Sequence, residues 1–358
     1  MTKITIRPAW IFISETGQKV DPQLFVLLKA IHDNGKLTIA AKQAQLSYRY
    51  AWNLLGKWAL FFNSPLVTME RGRGAQLTIL GSKLLWAEQR SDASFFPQLE
   101  NIASELNLEI AKAVKDAQSV IKIYCSHGYA VEKLPMLMRQ HGNATLDIQY
   151  MDSVPALMSL IKNQCDLAGF HVPLGRIGQD LWQQYTKWLK PKRQNVIRLV
   201  IRTQGLIVAR GNPLSIYSLK DLVRPEIRFV NRQRESGTRL LLDGLLKAQS
   251  IDSRLINGHH GGEFTHAAVA AFVASGMADA AFGVEPAARQ FKLDFIPLIK
   301  ERYMLAVNKN ALKLTQIQEL LNLLQSGEFE KIIKSIPGYE IDNPGNILDI
   351  DKVISLDN

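Results

Sequence analysis

The sequence predicts an α/β protein in two modules. A small N-terminal module of three short helices and a hairpin passes through a long helix into a larger module of alternating strands and helices. Three observations predict this. At 358 residues the chain exceeds one ordinary domain. From Gln118 the apolar pattern changes from helical spacing to short strands alternating with helices, as in an open α/β sheet. Between residues 42 and 90, Lys42, Arg49, Lys57, Arg71, Arg73, Lys83 and Arg90 stand against only Glu70 and Glu88, so half of the chain's net charge of +10 lies in one window.

A localised basic surface suits a polyanion, because Lys and Arg displace the counterions condensed along a phosphate backbone. With 47% apolar and 21% charged residues the chain can bury sizeable cores, which excludes a disordered class. No apolar run of about 18 residues occurs, and the first ten residues lack the order of a secretory signal. The expectation is a cytoplasmic protein with no membrane partner. Two cysteines, Cys125 and Cys165, are too few for a disulfide framework or a thiolate zinc site, and both fall on predicted strands as buried thiols.

Asp21-Pro22 opens the first helix, since Asp caps free amides and Pro is tolerated in the first turn. Leu24, Leu27, Leu28 and Ile31 follow at helical spacing, and Asn34-Gly35 ends the run. Thr38 is expected to cap a second helix to Ala44, and Ser47 a third, Tyr48 to Trp58. Two helices joined by so short a turn form a helix-turn-helix, whose second helix offers its first side chains to base edges in the major groove. Tyr48, Arg49, Tyr50 and Asn53 are its expected exposed face, with Ala51, Leu54 and Leu55 buried; Arg49 suits guanine and Asn53 adenine. Thr38, Ser47 and Lys57 complete the expected contacts on that side. Residues 65 to 78 then read as strand, glycine-rich turn and strand, a wing whose Arg71 and Arg73 reach the sugar-phosphate backbone or minor groove.

On Leu28-Lys-Ala-Ile31, Ala40-Ala-Lys42, Leu46-Ser-Tyr-Arg-Tyr-Ala-Trp52, Pro65-Leu-Val67 and Leu77-Thr78 with Gly81, residues 21 to 86 resemble the winged helix-turn-helix of the molybdate-dependent repressors, a relative of the LysR-type DNA-binding domain. Gln45 departs from the glycine often found in the turn, and the wing is poorer in glycine than the family's. A helical stretch follows from about Ser82 to Val114, with Leu99, Ile102, Leu106, Ile110 and Ala113 in a stripe that can meet a partner chain. The resemblance implies a homodimer, or a higher homo-oligomer, on a pseudo-palindromic site in double-stranded DNA.

In the larger module, strands are expected at Val120 to Cys125, Leu146 to Tyr150, Asp166 to His171, Ile227 to Val230 and Ala278 to Val284. Ser126, His127, Ser153 and His171 therefore fall at or just beyond strand carboxyl ends, where open α/β sheets bind ligands. After the fourth strand, Asn231, Arg232, Ser236, Gly237, Thr238 and Arg239 lead into a helix Leu240 to Ala248, whose free amides and dipole attract an anion while the arginines add mobile charge. Thr265 is expected to cap a helix beginning at His266, and Glu285 closes the last of these strands. His259-His260 lacks metal-ligand spacing, so no metal is expected.

Residues 119 to about 307 resemble the type 2 periplasmic-binding-protein fold, and more narrowly the molybdate and tungstate receptors. The matching segments include Ser126-His127, Asp166-Leu-Ala-Gly-Phe-His171, Gly205 to Leu214, Phe229 to Arg239, Thr265-His266, Ala274 to Val284 and Glu301-Arg-Tyr303. The resemblance implies two lobes joined by crossing strands near Thr203 to Val208 and Glu301 to Val307, with the ligand between them. The expected domains are 1–86, the winged domain; 87–117, a linker and dimerisation helix; and 118–358, lobe I at about 118–203 and 300–358 and lobe II at about 204–299. Those receptors hold their oxyanion mainly with neutral donors, whereas Arg232, Arg239, His127, His171 and His266 make this site more cationic. Glu or Asp partners at Asp152, Glu235, Glu263 or Glu285 could alternatively neutralise the arginines.

These readings lead to a DNA-binding transcription regulator that senses a small anionic effector, molybdate or tungstate in the first instance, with no cofactor and no enzymatic activity. The alternative is an enzyme or carrier of molybdenum-cofactor metabolism, or a regulator of an organic acid or another sulfur or phosphorus oxyanion. No acid–base pair or activated nucleophile is placed for turnover.

Overall fold

The computed structural model describes residues 4–12, 20–70, 74–113, 119–141 and 144–353. They form two compact units, one from Arg7 to Phe95 and one from Phe96 onward together with residues 4–6. Among the described residues no helix is long and apolar enough to cross a membrane.

The smaller unit begins with α1 (Pro22–Asn34), where Asp21 Oδ1 accepts from the Gln23 amide and Gly35, at φ +67°, closes the last turn on the Ile31 carbonyl. Leu24, Leu27, Leu28 and Ile31 are buried as the spacing requires. Helix α2 (Leu37–Gln43) corrects the expected cap: Lys36 precedes it without a side-chain hydrogen bond, and Thr38 lies exposed in its first turn. Leu37 is the cause, because it is drawn into the core one turn ahead of Ala40 and Ala41 and carries the helix start with it. Helix α3 (Tyr48–Phe61) is capped as expected, Ser47 Oγ accepting from the Tyr50 amide at 3.1 Å.

Between α2 and α3, Gln45 adopts φ +57°, a conformation an L side chain visits at a cost and glycine does not. Gln45→Gly is expected to stabilise this unit by about 0.5–1 kcal/mol, read as a higher urea midpoint at unchanged m. An unchanged or lower midpoint would refute the strain. The hairpin of β1 (Val67–Glu70) and β2 (Gly74–Leu77) docks on the end of α1 through the Ala75 amide and the Gly35 carbonyl. Gly74 is required there, since a Cβ would stand 2.1 Å from Gly35 O. Arg71 and Arg73, expected at the hairpin tip, lie outside the described residues.

Helix α4 (Ile79–Ala113) starts earlier than the apolar stripe suggests, because the Thr78 hydroxyl accepts from the Gly81 amide and donates to the Pro65 carbonyl. In its second half Ile102, Leu106 and Ile110 are exposed while Ala103 is buried. Asn101 pairs with both backbone groups of Tyr150, and Ser104 with Asp147, covering an edge strand of the sheet described next.

The larger unit is built on one nine-stranded sheet. Strand β3 (Val120–Cys125) pairs in parallel with β4 (Thr145–Tyr150) and β5 (Leu167–Pro173). Helices α5 (Leu134–His141), α6 (Ser153–Ile161) and α7 (Arg176–Tyr185) cover these strands. Strand β6 (Gln194–Val208) runs the length of the unit. After it come β7 (Phe229–Val230), α8 (Gly237–Ala248), α9 (His266–Ala274), β8 (Ala280–Val284), α10 (Glu285–Gln290) and the equally long β9 (Asp294–Asn308). Helices α11 (Thr315–Leu324) and α12 (Gly327–Lys334) and the short β10 (Tyr339–Ile341) and β11 (Ile347–Asp349) complete the chain, the last two pairing with β6.

The sheet order, β4-β3-β5-β9-β6-β8-β7, makes two lobes, because only β6 and β9 run through both. One end of this pair joins β5; the other joins β8. The register slips between Gln204 and Gly205, where the strands leave one lobe for the other. Each lobe has apolar cores of its own. The crossing strands are longer than expected, and β7 is shorter. Arg228 gives its amide and guanidinium to Asp279 rather than to the ladder, so the strand predicted from Ile227 begins at Phe229.

Candidate ligand site

Three ionisable or polar side chains on the crossing strands meet at the lobe junction. Arg202 and Gln204 alternate along β6 and Glu301 lies opposite on β9, all at most 2% exposed. Arg202 Nε and Gln204 Nε2 each donate to Glu301 Oε1 at 2.6 Å. Burial works against the Arg202 charge, but Glu301 more than offsets it and the guanidinium is held above its ordinary value.

Predicted residues join this centre from three strand or helix ends. His171, on β5, sets Nε2 3.3 Å from Arg202 Nη2 and packs against the Tyr303 ring at a tilt of 51°, the centroids 4.0 Å apart. Thr238, in the first turn of α8, accepts from Gln204 Nε2 at 3.3 Å and lies 3.4 Å from His266 Nε2. Burial, then the neighbouring arginines, hold both His171 and His266 well below the ordinary imidazole value, so both are neutral at pH 7. Tyr303, between His171 and Arg202, donates its hydroxyl to the Ser126 carbonyl at 2.7 Å. Gly128 and Gly169 admit that ring: a Cβ would stand 3.0 Å from it at Gly128 and 2.9 Å at Gly169.

A second charged layer bridges the lobes. Gln233 Nε2 donates to Asp152 Oδ2 at 3.3 Å. Burial lowers Arg232 to about 10 despite Asp152, and burial raises Asp152 despite Arg232. Arg232 is braced by the Glu263 and Phe264 carbonyls and, through its amide, by Asn231 Oδ1. Its hydrogen bonds go to these backbone carbonyls, and of the four carboxylates considered Asp152 is near enough to act on its charge. Ser153 is buried at the start of α6 beside Tyr185.

Other expected residues stand elsewhere. Arg239 was expected to supply mobile charge, but Nε pairs with Asp243, Nη1 donates to the His259 carbonyl at 2.7 Å and Nη2 meets His259 Nδ1 at 3.0 Å. The i,i+4 spacing on α8 brings Asp243 to it ahead of any of the four carboxylates first considered. Ser236 and Thr265 spend their hydroxyl acceptors as caps on the Arg239 and Ala268 amides, with Gly237 as the first residue of α8. Glu285 pairs with Arg289 at 2.8 Å. His127 sits among Phe96, Tyr129 and Tyr150, with Nε2 3.6 Å from Glu132, too long for a hydrogen bond. Cys125 and Cys165 are buried thiols pushed up to about 12 by burial, unsuited to attack.

Arg202, Gln204, Glu301 and Tyr303 were not among the expected site residues. The available signal was two arginines, Arg198 and Arg202, and a glutamine within the apolar run from Val196 to Val208, which a strand through a core carries only where each has a partner. In the smaller unit, Tyr48, Arg49, Tyr50, Asn53 and Lys57 are exposed on α3. Trp52, overlooked there, is 50% exposed and stacked on Tyr48, while the Tyr50 hydroxyl is held by Asp21.

Comparison with known proteins gives this geometry a family. "Uncharacterized protein YvgK" of Bacillus subtilis (strain 168) is 33% identical over 201 residues, which are 56% of this chain and 64% of that protein. "Molybdenum-pterin-binding protein MopB" of Rhodobacter capsulatus is 29% identical over 109 residues, 29% of this chain and 40% of that protein. The chain thus spans less than two thirds of either relative. Among solved structures, CbnR, a LysR family transcriptional regulator, is similar at 15% identity and a TM-score of 0.39, over 84% of this chain and 98% of that one. The model of the PBP superfamily domain matches residues 134–325, which contain most of both lobes and more than half of the chain. With its two lobes, its pair of crossing strands and that match, the chain belongs to the PBP superfamily domain family, in the type 2 periplasmic-binding-protein arrangement.

Proposed function

We propose that this protein is a one-component transcription regulator: residues 1–86 bind double-stranded DNA as a winged helix-turn-helix, and residues 118–358 bind a small anionic effector between the lobes. The observation that carries the reading is the buried polar centre at the lobe junction, where Arg202 and Gln204 on a crossing strand meet His171 and Thr238. In support of DNA binding, α3 presents Arg49, Asn53 and Lys57 on one exposed face and buries Ala51, Leu54 and Trp58 on the other. Residues 87–117, with the exposed Ile102, Leu106 and Ile110, serve in this reading as the face that meets a second copy. Molybdate and tungstate are the first effectors to offer, on the resemblance to their receptors. An effector shifts DNA binding only through unequal affinity for the competent and incompetent states.

Arg49→Ala is expected to lower the preference for a selected operator over random DNA by about 1–3 kcal/mol, read by competition binding at fixed salt. Arg73→Ala should weaken binding to both DNAs alike. Equal loss on both DNAs in Arg49→Ala would remove α3 as the reading helix.

A further inference from the structure

We infer that the ligand of the lobe junction is an anion that carries an N–H or O–H group of its own, and that Gln204 Oε1 is the acceptor that reads it. This rests on the junction being the ligand site, and it names the chemistry the site selects.

The orientation of the Gln204 amide follows from its neighbours. Nε2 lies 2.6 Å from Glu301 Oε1, where Arg202 Nε also donates, and 3.3 Å from Thr238 Oγ1. A carboxylate oxygen in that position accepts, so the amide nitrogen must face it, and a flipped amide would set oxygen against oxygen. The carbonyl is thereby turned away from Glu301. Gln204 is fully buried, and Oε1 has no hydrogen-bond partner among the described residues.

The same reasoning fixes His171. Its Nε2 faces Arg202 Nη2, which can only donate, so Nε2 accepts and the ring proton is on Nδ1. Nδ1 is buried, 4.0 Å from Glu301 and without a hydrogen bond among the described residues. Among the described residues the junction therefore holds an unmatched acceptor, Gln204 Oε1 on β6, and unmatched donors, His171 Nδ1 on β5 and Arg202 Nη1 on β6. Buried polar atoms of both kinds are complemented by a ligand that has both kinds.

A fully deprotonated oxyanion lacks this complement. Sulfate, molybdate and tungstate at neutral pH offer only acceptors, which suit His171 Nδ1–H and oppose Gln204 Oε1. Hydrogenphosphate, an α-hydroxy acid or an acidic nitrogen heterocycle offers a hydrogen as well. A site with a buried hydrogen-bonding atom rejects the analogue that cannot pair with it, and this discrimination is larger than that of an apolar pocket.

The test uses the full-length chain at pH 7.5 and probes matched in shape: inorganic phosphate against sulfate, molybdate and tungstate, and lactate against propionate. Thermal stabilisation and calorimetric titration read the affinities. The expected result is binding of the hydrogen-bearing member of a pair at least about 10-fold more tightly than its counterpart, with the difference lost in Gln204→Met. If molybdate or sulfate binds as tightly as phosphate and Gln204→Met leaves it unchanged, the inference is overturned while the ligand-sensing reading stands. If no probe of either kind binds, both are overturned. Should Gln204→Met fail to fold, the pairwise selectivity of the unaltered chain decides alone.

Discussion

Replacing Arg202 with Met is expected to destabilise the two-lobed unit by about 3–5 kcal/mol, the cost of leaving one member of a buried ion pair uncompensated. Glu301 is 2% exposed, and Arg202 Nε is one of two donors on its Oε1. Without the guanidinium, the carboxylate keeps Gln204 Nε2 on that oxygen but loses its opposite charge. The double variant Arg202→Met/Glu301→Leu removes both charges and should recover at least half of the loss, since a well-packed apolar pair can equal a buried ion pair in stability. Urea midpoints for the three variants, at unchanged m, provide the measurement. A cost below about 1 kcal/mol in Arg202→Met would show that the pair is screened by solvent, and the junction would no longer qualify as a buried polar centre.

Helices α1 and α3 of the smaller unit were legible because they are punctuated locally: Asp21 and Ser47 cap, Gly35 stops, and the buried leucines keep helical spacing. The α2 start was missed because a buried Leu37 outweighs a hydroxyl that could have capped, and burial is a tertiary fact. At the candidate site, His171, Thr238 and His266 were legible as side chains at strand ends and helix starts, where α/β sheets gather ligands. Arg202, Gln204 and Glu301 lie within fifteen-residue strands, and their meaning depends on which strand comes alongside. Pairing of β6 with β9 joins residues about a hundred positions apart, beyond the reach of periodicity. Arg239 erred in the opposite direction: its glycine-rich, helix-opening context suggested a ligand, yet Asp243 stood four residues ahead on the same helix face.

Acid should destabilise the two-lobed unit well before its carboxylates titrate. An unfolded histidine has a pKa of about 6.5, whereas burial, with Arg202 beside His171 and with Arg232 and Arg202 near His266, holds both folded imidazoles well below that. Below about pH 6.5 the unfolded chain therefore binds protons that the folded chain refuses, and stability is lost as pH falls. Each histidine contributes a slope of up to about 1.4 kcal/mol per pH unit, so the two together approach about 2.7. His259, lowered by burial and by Arg239 but supported by Asp243, acts in the same direction more weakly. Glu301, 4.0 Å from His171 Nδ1, is already occupied by Arg202 and Gln204 and does not rescue the imidazolium. Asp152 opposes the trend, its raised pKa adding stability as pH falls, but only on approach to the carboxylate range. The expected measurement is a urea midpoint that is level between about pH 7.5 and 8 and falls between pH 6.5 and 5.5, with the slope roughly halved in His171→Phe. A flat profile across that interval would mean that the imidazoles reach solvent on protonation. An unaltered slope in His171→Phe would place the titration on other groups and remove the neutral histidine from the ligand site.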